Sequence, residues 1–368
     1  MNTVSALLDD AQREKLQAEN LLEQEKLRKI HARGPVRPLI PYERVNANKP
    51  PVDFSEVEAP PFLGRKIVDD VTLAEIAEYI DWTFFFTAWE LKGRFPDILE
   101  HPTYGQAATE LYAAAKPLLK RIIDEAVIDP RGVYGFWPAW SEGNDIVLFE
   151  DEARTSELAR YPMLRQQRDK KSDDPHLCLA DYVAPKESGQ MDWVGGFAVT
   201  CGVGVEKLVR EFEADHDDYH AIMTKALADR LAEAFAELLH HRVRRAWYAP
   251  DEDLDQDALR SEKYRGIRPA LGYPACPDHD DKPALFDMLG ARDVGMDLTE
   301  SNAMVPAASV SGLYLANEAS RYFSVGRITR EQVEDYAKRR GDSVEDVERK
   351  LAAHLGYDPT GAGRGAAA

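Results

Sequence analysis

The stretch Val133-Tyr-Gly-Phe-Trp-Pro-Ala-Trp-Ser-Glu-Gly-Asn-Asp-Ile-Val-Leu-Phe149 holds two apolar runs on either side of Glu142-Gly-Asn-Asp145. Aromatic and β-branched residues suit a pleated surface, and a Gly-Asn pair allows a tight reversal. The segment therefore predicts a β-hairpin. Strand signals recur at 178–183, 193–201, 310–315 and 322–325. Helical signals lie between them rather than in a regular βαβ rhythm. Thr72-Leu-Ala-Glu75 is a capping box, which predicts a short helix to about Ile80. Longer helical stretches cover 106–127 and 205–248; Thr329-Arg-Glu-Gln332 caps another, and Ser343 starts one that stops at Gly356. Hairpins among mixed elements indicate an α+β domain with a mostly antiparallel sheet, not a doubly wound one.

Composition narrows the function. The 368 residues include 46 Lys and Arg against 65 Asp and Glu, a net charge of −19, with 44% hydrophobic residues. Such a chain can bury a real core. Its charge argues against nucleic acid as a partner, because phosphates demand a basic footprint. No apolar run approaches the roughly 18 residues that a membrane span needs. Cys178, Cys201 and Cys276 are widely spaced and odd in number, which fits reduced thiols in a cytoplasmic protein. Residues 1–33 are charged and helix-prone, with apolar positions too sparse for a continuous stripe, so they read as a solvated helical arm. Prolines at 35, 38, 41, 50, 51, 60 and 61 make 34–61 read as an extended linker. The compact domain then spans 62–358, and 359–368 is a low-complexity, disordered tail.

Four constellations could carry chemistry. Gly202-Val-Gly204 follows a strand-like run and opens a helix, but the third glycine of a dinucleotide loop would fall at Lys207, so a tight strand-to-helix turn is the better reading. His216 and His220 have zinc-helix spacing, yet Asp217 stands where the metalloprotease pattern has glutamate and no third ligand is evident, so no metal is assigned. Asp229, Glu233 and Glu237 recur every four residues on a largely apolar helix that also carries Arg230. They form either an exposed acidic stripe or a wall facing a cationic ligand. The fourth is Tyr264-Arg-Gly-Ile-Arg-Pro-Ala-Leu-Gly-Tyr-Pro-Ala-Cys-Pro-Asp-His279, a stiff, non-repetitive loop presenting Arg268 as a planar fork and Tyr273 as an aromatic face.

That loop, from Arg268 to His279, resembles the signature of the activation domain of cobalamin-dependent methionine synthase. Asp81-Trp-Thr-Phe-Phe-Phe86, Arg131-Gly-Val-Tyr-Gly-Phe-Trp-Pro-Ala139 and Cys178-Leu-Ala-Asp-Tyr-Val-Ala-Pro-Lys186 resemble it in the same order. So do Ala226-Leu-Ala-Asp-Arg-Leu-Ala-Glu-Ala-Phe-Ala-Glu237, Val310-Ser-Gly-Leu-Tyr314 and Val333-Glu-Asp-Tyr-Ala337. Leu271 replaces a proline frequent in relatives.

The resemblance implies a C-shaped, non-Rossmann domain with a twisted antiparallel sheet flanked by helices. It also implies binding of S-adenosylmethionine. The role implied is reductive reactivation within methionine biosynthesis: an electron from a flavodoxin-type donor and a methyl group from S-adenosylmethionine restore cob(II)alamin to methylcobalamin. Carried over by position, the ligand contacts are Asp81, Arg268, Tyr322 and Phe323, with backbone and ring contacts from Ala270, Gly272 and Tyr273. Glu233, Asp229 and Arg230 would border the site. The roles follow chemically, with Arg268 for the carboxylate, Asp81 for the ammonium or ribose hydroxyls, and Tyr322 and Phe323 for the adenosine rings. No catalytic acid or base is assigned, because methyl transfer to a strong nucleophile needs alignment above all. The chain lacks a DxHxxG cobalamin-ligating motif, so cobalamin would be carried by a partner module or subunit, and this module alone would not make methionine. The other expectation weighed is an S-adenosylmethionine-binding regulatory protein without reactivation. An acidic electron donor would need basic clusters such as Arg242-Val-Arg-Arg245 or Lys338-Arg-Arg340.

Overall fold

A computed structural model describes residues 7–33, 38–170, 172–255, 258–259 and 261–359; the expected tail lies outside them from residue 360 onward. The chain forms two compact units, 1–39 and 40–368. The first contains helix α1 (Asp10–Arg33), on which Leu21, Leu22 and Leu27 are exposed. In the second, α2 (Tyr42–Ala47), β1 (Gly64–Val68), α3 (Leu73–Ala77), α4 (Trp82–Ala88) and α5 (Gly105–Asp124) precede the main strands. These are β2 (Arg131–Glu142), β3 (Asp145–Phe149), β4 (Glu157–Pro162) and β5 (Asp192–Thr200). Then come α6 (Val205–Ala214), α7 (Asp218–Trp247), α8 (Lys282–Leu289), β6 (Asp297–Leu298), β7 (Met304–Val305) and β8 (Ser309–Tyr314). Helices α9 (Arg330–Arg340) and α10 (Val344–Lys350) complete it. Among the described residues, no helix is long and apolar enough to cross a membrane.

The domain is α+β, with a main antiparallel sheet ordered β4-β3-β2-β5-β8, β1 paired beside β3 on the long strand β2, and a separate two-stranded β6-β7 ribbon. The hairpin forms as the sequence indicates: Glu142 pairs with Asp145, and Gly143 turns at φ 65°. Every residue of β5 is buried. Phe197 and Val199 pack toward α5, α6 and α7, whereas Val194 and Ala198 pack toward α8 and the loop around Leu271. A sheet covered on both faces explains why its strands read as apolar runs without polar alternation. The capping box at Thr72 is present, with Glu75 returning its carboxylate to the Thr72 amide at 2.9 Å.

Several expectations change. Residues 178–183 form a short 3-10 turn (Leu179–Tyr182), because the Asp181 side chain takes the Cys178 amide (2.9 Å) that a ladder would have used. Residues 322–325 form no strand, since Val325 donates to the Pro274 carbonyl (2.8 Å) and the Ser324 carbonyl accepts from Gln166 (2.8 Å). The helical stretch 205–248 breaks at His216, which has φ 57°. Thr329 begins α9, but its hydroxyl accepts from the Gln167 side chain (3.0 Å) instead of capping the helix. Finally, the compact unit starts at Ile40 rather than Phe62, so residues 40–61 are not a free linker. Val45 of α2 is fully buried, Tyr42 donates to Asp335 (2.7 Å), and Glu58 takes both Nη groups of Arg265 at 2.7 Å.

One buried arginine accounts for two of these changes. Arg165 is wholly inaccessible and makes a fork on Asp181 (2.6 and 2.7 Å), while also donating to Asn144 (2.7 Å), Asn46 (3.2 Å) and the His176 carbonyl (2.6 Å). It therefore joins the hairpin turn, α2 and the 178–182 turn. Removing it strands a buried carboxylate, which typically costs about 3–5 kcal/mol. Arg165→Met should lower the urea-unfolding free energy by that amount, and a loss under about 1 kcal/mol would show that the pair holds nothing together.

Candidate functional site

The site begins at the free edge of β8. Ile267 exchanges both backbone hydrogen bonds with Leu315 (3.0 Å each), and the Leu313 amide donates to the Pro269 carbonyl (2.9 Å). Residues 267–269 thus add a short length of strand to the sheet. Proline is tolerated there because the edge uses only its carbonyl. Alternation along a strand directs Arg268 away from its neighbours: Ile267 joins the apolar cluster with Leu271, and Arg268 turns toward α7. The chain then reverses, with Gly272 donating to the Cys276 carbonyl and Cys276 to the Tyr273 carbonyl, both at 2.8 Å. Gly272 has φ 91°, and a Cβ there would lie 2.1 Å from the His279 ring, so only glycine lets this backbone rest on the imidazole.

The far end of the loop is clamped by the C-terminal helices. Arg340 of α9 pairs with Asp281 (2.5 Å), Tyr336 donates to Asp278 (3.1 Å), and Lys350 of α10 pairs with Asp280 (2.5 Å). Burial pushes the Asp281 carboxyl up to about 6 even though Arg340 favours its charge.

Arg268 meets the inner face of α7. Its Nη2 donates to Glu237 (2.9 Å), its backbone amide donates to the Tyr322 hydroxyl (3.0 Å), and its buried Nε has no partner in the protein. Burial works against the guanidinium charge, but Glu237, Tyr322 and Tyr264 outweigh it, so its pKa is raised. Two turns along from Glu237, Arg244 is completely buried, fixed through Nε to Glu252 (2.9 Å) and stacked 4.0 Å over the Tyr264 ring. His240 lies between them, 3.2 Å from the Tyr248 hydroxyl and stacked on Tyr314 at 5.3 Å.

The structure brings together most of the expected residues. Arg268 shares its electrostatic surroundings with Tyr322 and Glu233, and Tyr273 lies within reach of Glu233, Arg268 and Arg230. Tyr273 is 56% exposed, so its ring stands open beside the guanidinium. Ala270 accepts the Tyr273 amide at 3.3 Å inside the same turn. The acidic row divides: Glu237 faces Arg268, Glu233 borders the site, and Asp229 is exposed beside Arg230. Asp81 caps α4, where one carboxylate oxygen accepts the Thr83 amide (2.8 Å); α4 in turn packs on α7. Phe323 is partly buried and packs against two apolar clusters. The sequence reading missed the role of Glu237, and it missed Arg244, Tyr264 and Glu262. Glu262 has φ 53° and lies within electrostatic reach of Arg268 and Glu237.

Other constellations are used structurally. Gly204 starts α6 at φ 96°, where a Cβ would lie 2.1 Å from the Val127 carbonyl oxygen, as a tight turn requires. His216 sits at the helix break while His220 bonds Asp217 (2.7 Å). Among the described residues, no group of three or more His, Cys, Asp or Glu could hold a metal. The basic clusters are partly spent internally: Arg242 pairs with Asp70 and Glu75, Arg244 is buried, Arg339 pairs with Asp145 and Asp335, and Arg340 pairs with Asp281, while Arg245 and Lys338 stay exposed.

Burial, reinforced by Arg244, Arg268 and His241, holds the His240 pKa well below its ordinary value, so the folded protein keeps the ring neutral. The unfolded chain binds that proton near pH 6.5, so the stability this residue contributes is complete above about pH 6.5 and is lost as the solution is acidified. Urea-unfolding free energies should fall from about pH 7.5 to 5.5, and His240→Gln should reduce the slope by up to about 1.4 kcal/mol per unit. Equal slopes would show that His240 stays solvated.

Known proteins share the fold of this chain. Residues 72–341 match the family described as vitamin B12 dependent methionine synthase, activation domain. A solved structure, the crystal structure of the MetH reactivation domain bound to AdoHcy, superposes with a TM-score of 0.83 at 47% identity, covering 87% of this chain and all of that one. The chain belongs to the activation-domain family of cobalamin-dependent methionine synthase.

Proposed function

We propose that this domain binds S-adenosylmethionine on the 268–273 loop and α7, and serves the reductive reactivation of cob(II)alamin carried by another module of methionine synthase. The observation carrying this reading is Arg268: a guanidinium fixed through Nη2 to Glu237, with its backbone amide on Tyr322 and both neighbouring residues tied to the sheet edge, whose buried Nε has no partner within the protein. A buried donor without a partner is costly, and a ligand carboxylate would satisfy it with a charge-assisted bond. The solved relative is described as bound to AdoHcy, whose carboxylate, ammonium and adenosine ask for the same receptor types.

Arg268 receives the carboxylate; Glu233 and Asp81 serve the ammonium and ribose hydroxyls; Tyr273, Tyr322 and Phe323 provide ring surface. Ala270 and Gly272 offer backbone groups, and Asp229 and Arg230 form the outer rim. When bound, S-adenosylmethionine supplies an activated methyl group. These residues bind and orient it, and none has to move a proton. The partner is a cobalamin-carrying module together with a flavodoxin-type electron donor.

Calorimetric titration should show S-adenosylmethionine binding, and Arg268→Ala should weaken it by about 2–3 kcal/mol, the usual loss for a charged hydrogen-bonded contact. Absence of binding at millimolar ligand would reject the reading. A second experiment separates reactivation from mere regulation. With a cobalamin-carrying module, a reductant and labelled methyl donor, label should pass to the corrinoid; binding without transfer would leave a regulatory domain.

A further inference from the structure

A receptor arginine must be held in place before its ligand arrives, and α7 shows how. Glu237 is largely buried, its side chain 17% exposed, and its Oε2 accepts from Nη2 of Arg268 at 2.9 Å. Its other oxygen has no hydrogen-bond partner and lies 3.6 Å from Nη1 of Arg244. Arg244 already has a carboxylate of its own in Glu252, which it contacts through Nε at 2.9 Å. The negative charge of Glu237 is therefore left mainly to Arg268. Among the described residues, Glu237 is the only carboxylate hydrogen-bonded to Arg268; Glu233 acts on it through space.

We propose that Glu237 is a positioning residue, distinct from the ligand contacts: it aims the Arg268 guanidinium and leaves the buried Nε–H for the ligand carboxylate. The proposal rests on Arg268 being the carboxylate receptor. An arginine free to rotate must lose its side-chain freedom on binding, whereas one already fixed by a carboxylate has lost it on folding. The effect should therefore appear as selectivity for the carboxylate, not as general affinity.

The test compares S-adenosylmethionine with decarboxylated S-adenosylmethionine, which keeps the sulfonium, the ammonium and the adenosine. In Glu237→Gln, affinity for S-adenosylmethionine should fall about tenfold, while affinity for the decarboxylated ligand should stay within about twofold. In an Arg268→Ala background, Glu237→Gln should add no further loss. Equal weakening of both ligands, or an unchanged ratio between them, overturns the proposal and leaves the receptor reading standing. If the unsubstituted protein does not distinguish the two ligands, the receptor reading itself fails, and the proposal with it. Thermal unfolding checks that the variant is folded. Should Glu237→Gln not fold, Glu237→Asp makes the same comparison, because it keeps the charge but falls one methylene short.

Discussion

The site depends on Arg268 being caught between a strand edge and a helix. Ile267 and Pro269 are tied to β8, so the residue between them must project to the opposite side, where Glu237 waits on α7. Neither restraint would suffice alone. A loop without the ladder could drift by several ångströms, and a ladder without Glu237 would present a guanidinium with many rotamers. Together they make a charged donor stationary at low solvent exposure, the condition under which a single hydrogen bond to an ion is strongest.

The rest of the domain serves to keep those two elements in register. Phe197 of β5 stacks on Tyr314 of β8 at 4.7 Å, and Tyr314 stacks on His240 of α7, so the sheet and the helix share one continuous aromatic contact. At the other end of the loop, Asp278, Asp280 and Asp281 are gripped by α9 and α10. The C-terminal helices thus act on the site without touching Arg268. This arrangement explains why a family defined by its activation domain carries recognisable motifs far beyond the loop itself.

How much of this could be read from the sequence follows the range of the forces involved. The hairpin at 142–145 was legible because its cause is local, a glycine at positive φ between apolar runs. The turn at 179–182 was not, because the Asp181 carboxylate is committed to Arg165. Residues 40–61 looked like a linker because proline content speaks only for the backbone; their anchors, Asp335 for Tyr42 and Arg265 for Glu58, lie hundreds of residues away. In the site, the loop with Arg268 and Tyr273 was conspicuous, whereas the acidic row was ambiguous for a geometric reason. Residues four apart drift by about 40° around a helix, so Asp229 lies about 80° around and about 12 Å along α7 from Glu237, and the spacing alone does not tell which end of the row faces inward. Glu237 ended inward against Arg268 and Asp229 outward.

The most direct measurement of the central claim is a crystal structure of this domain with S-adenosylmethionine bound. The account expects the ligand carboxylate within hydrogen-bond distance of Arg268, with Glu237 still holding the other side of the guanidinium. A ligand seated elsewhere, or an Arg268 swung away from both Glu237 and the carboxylate, would contradict it.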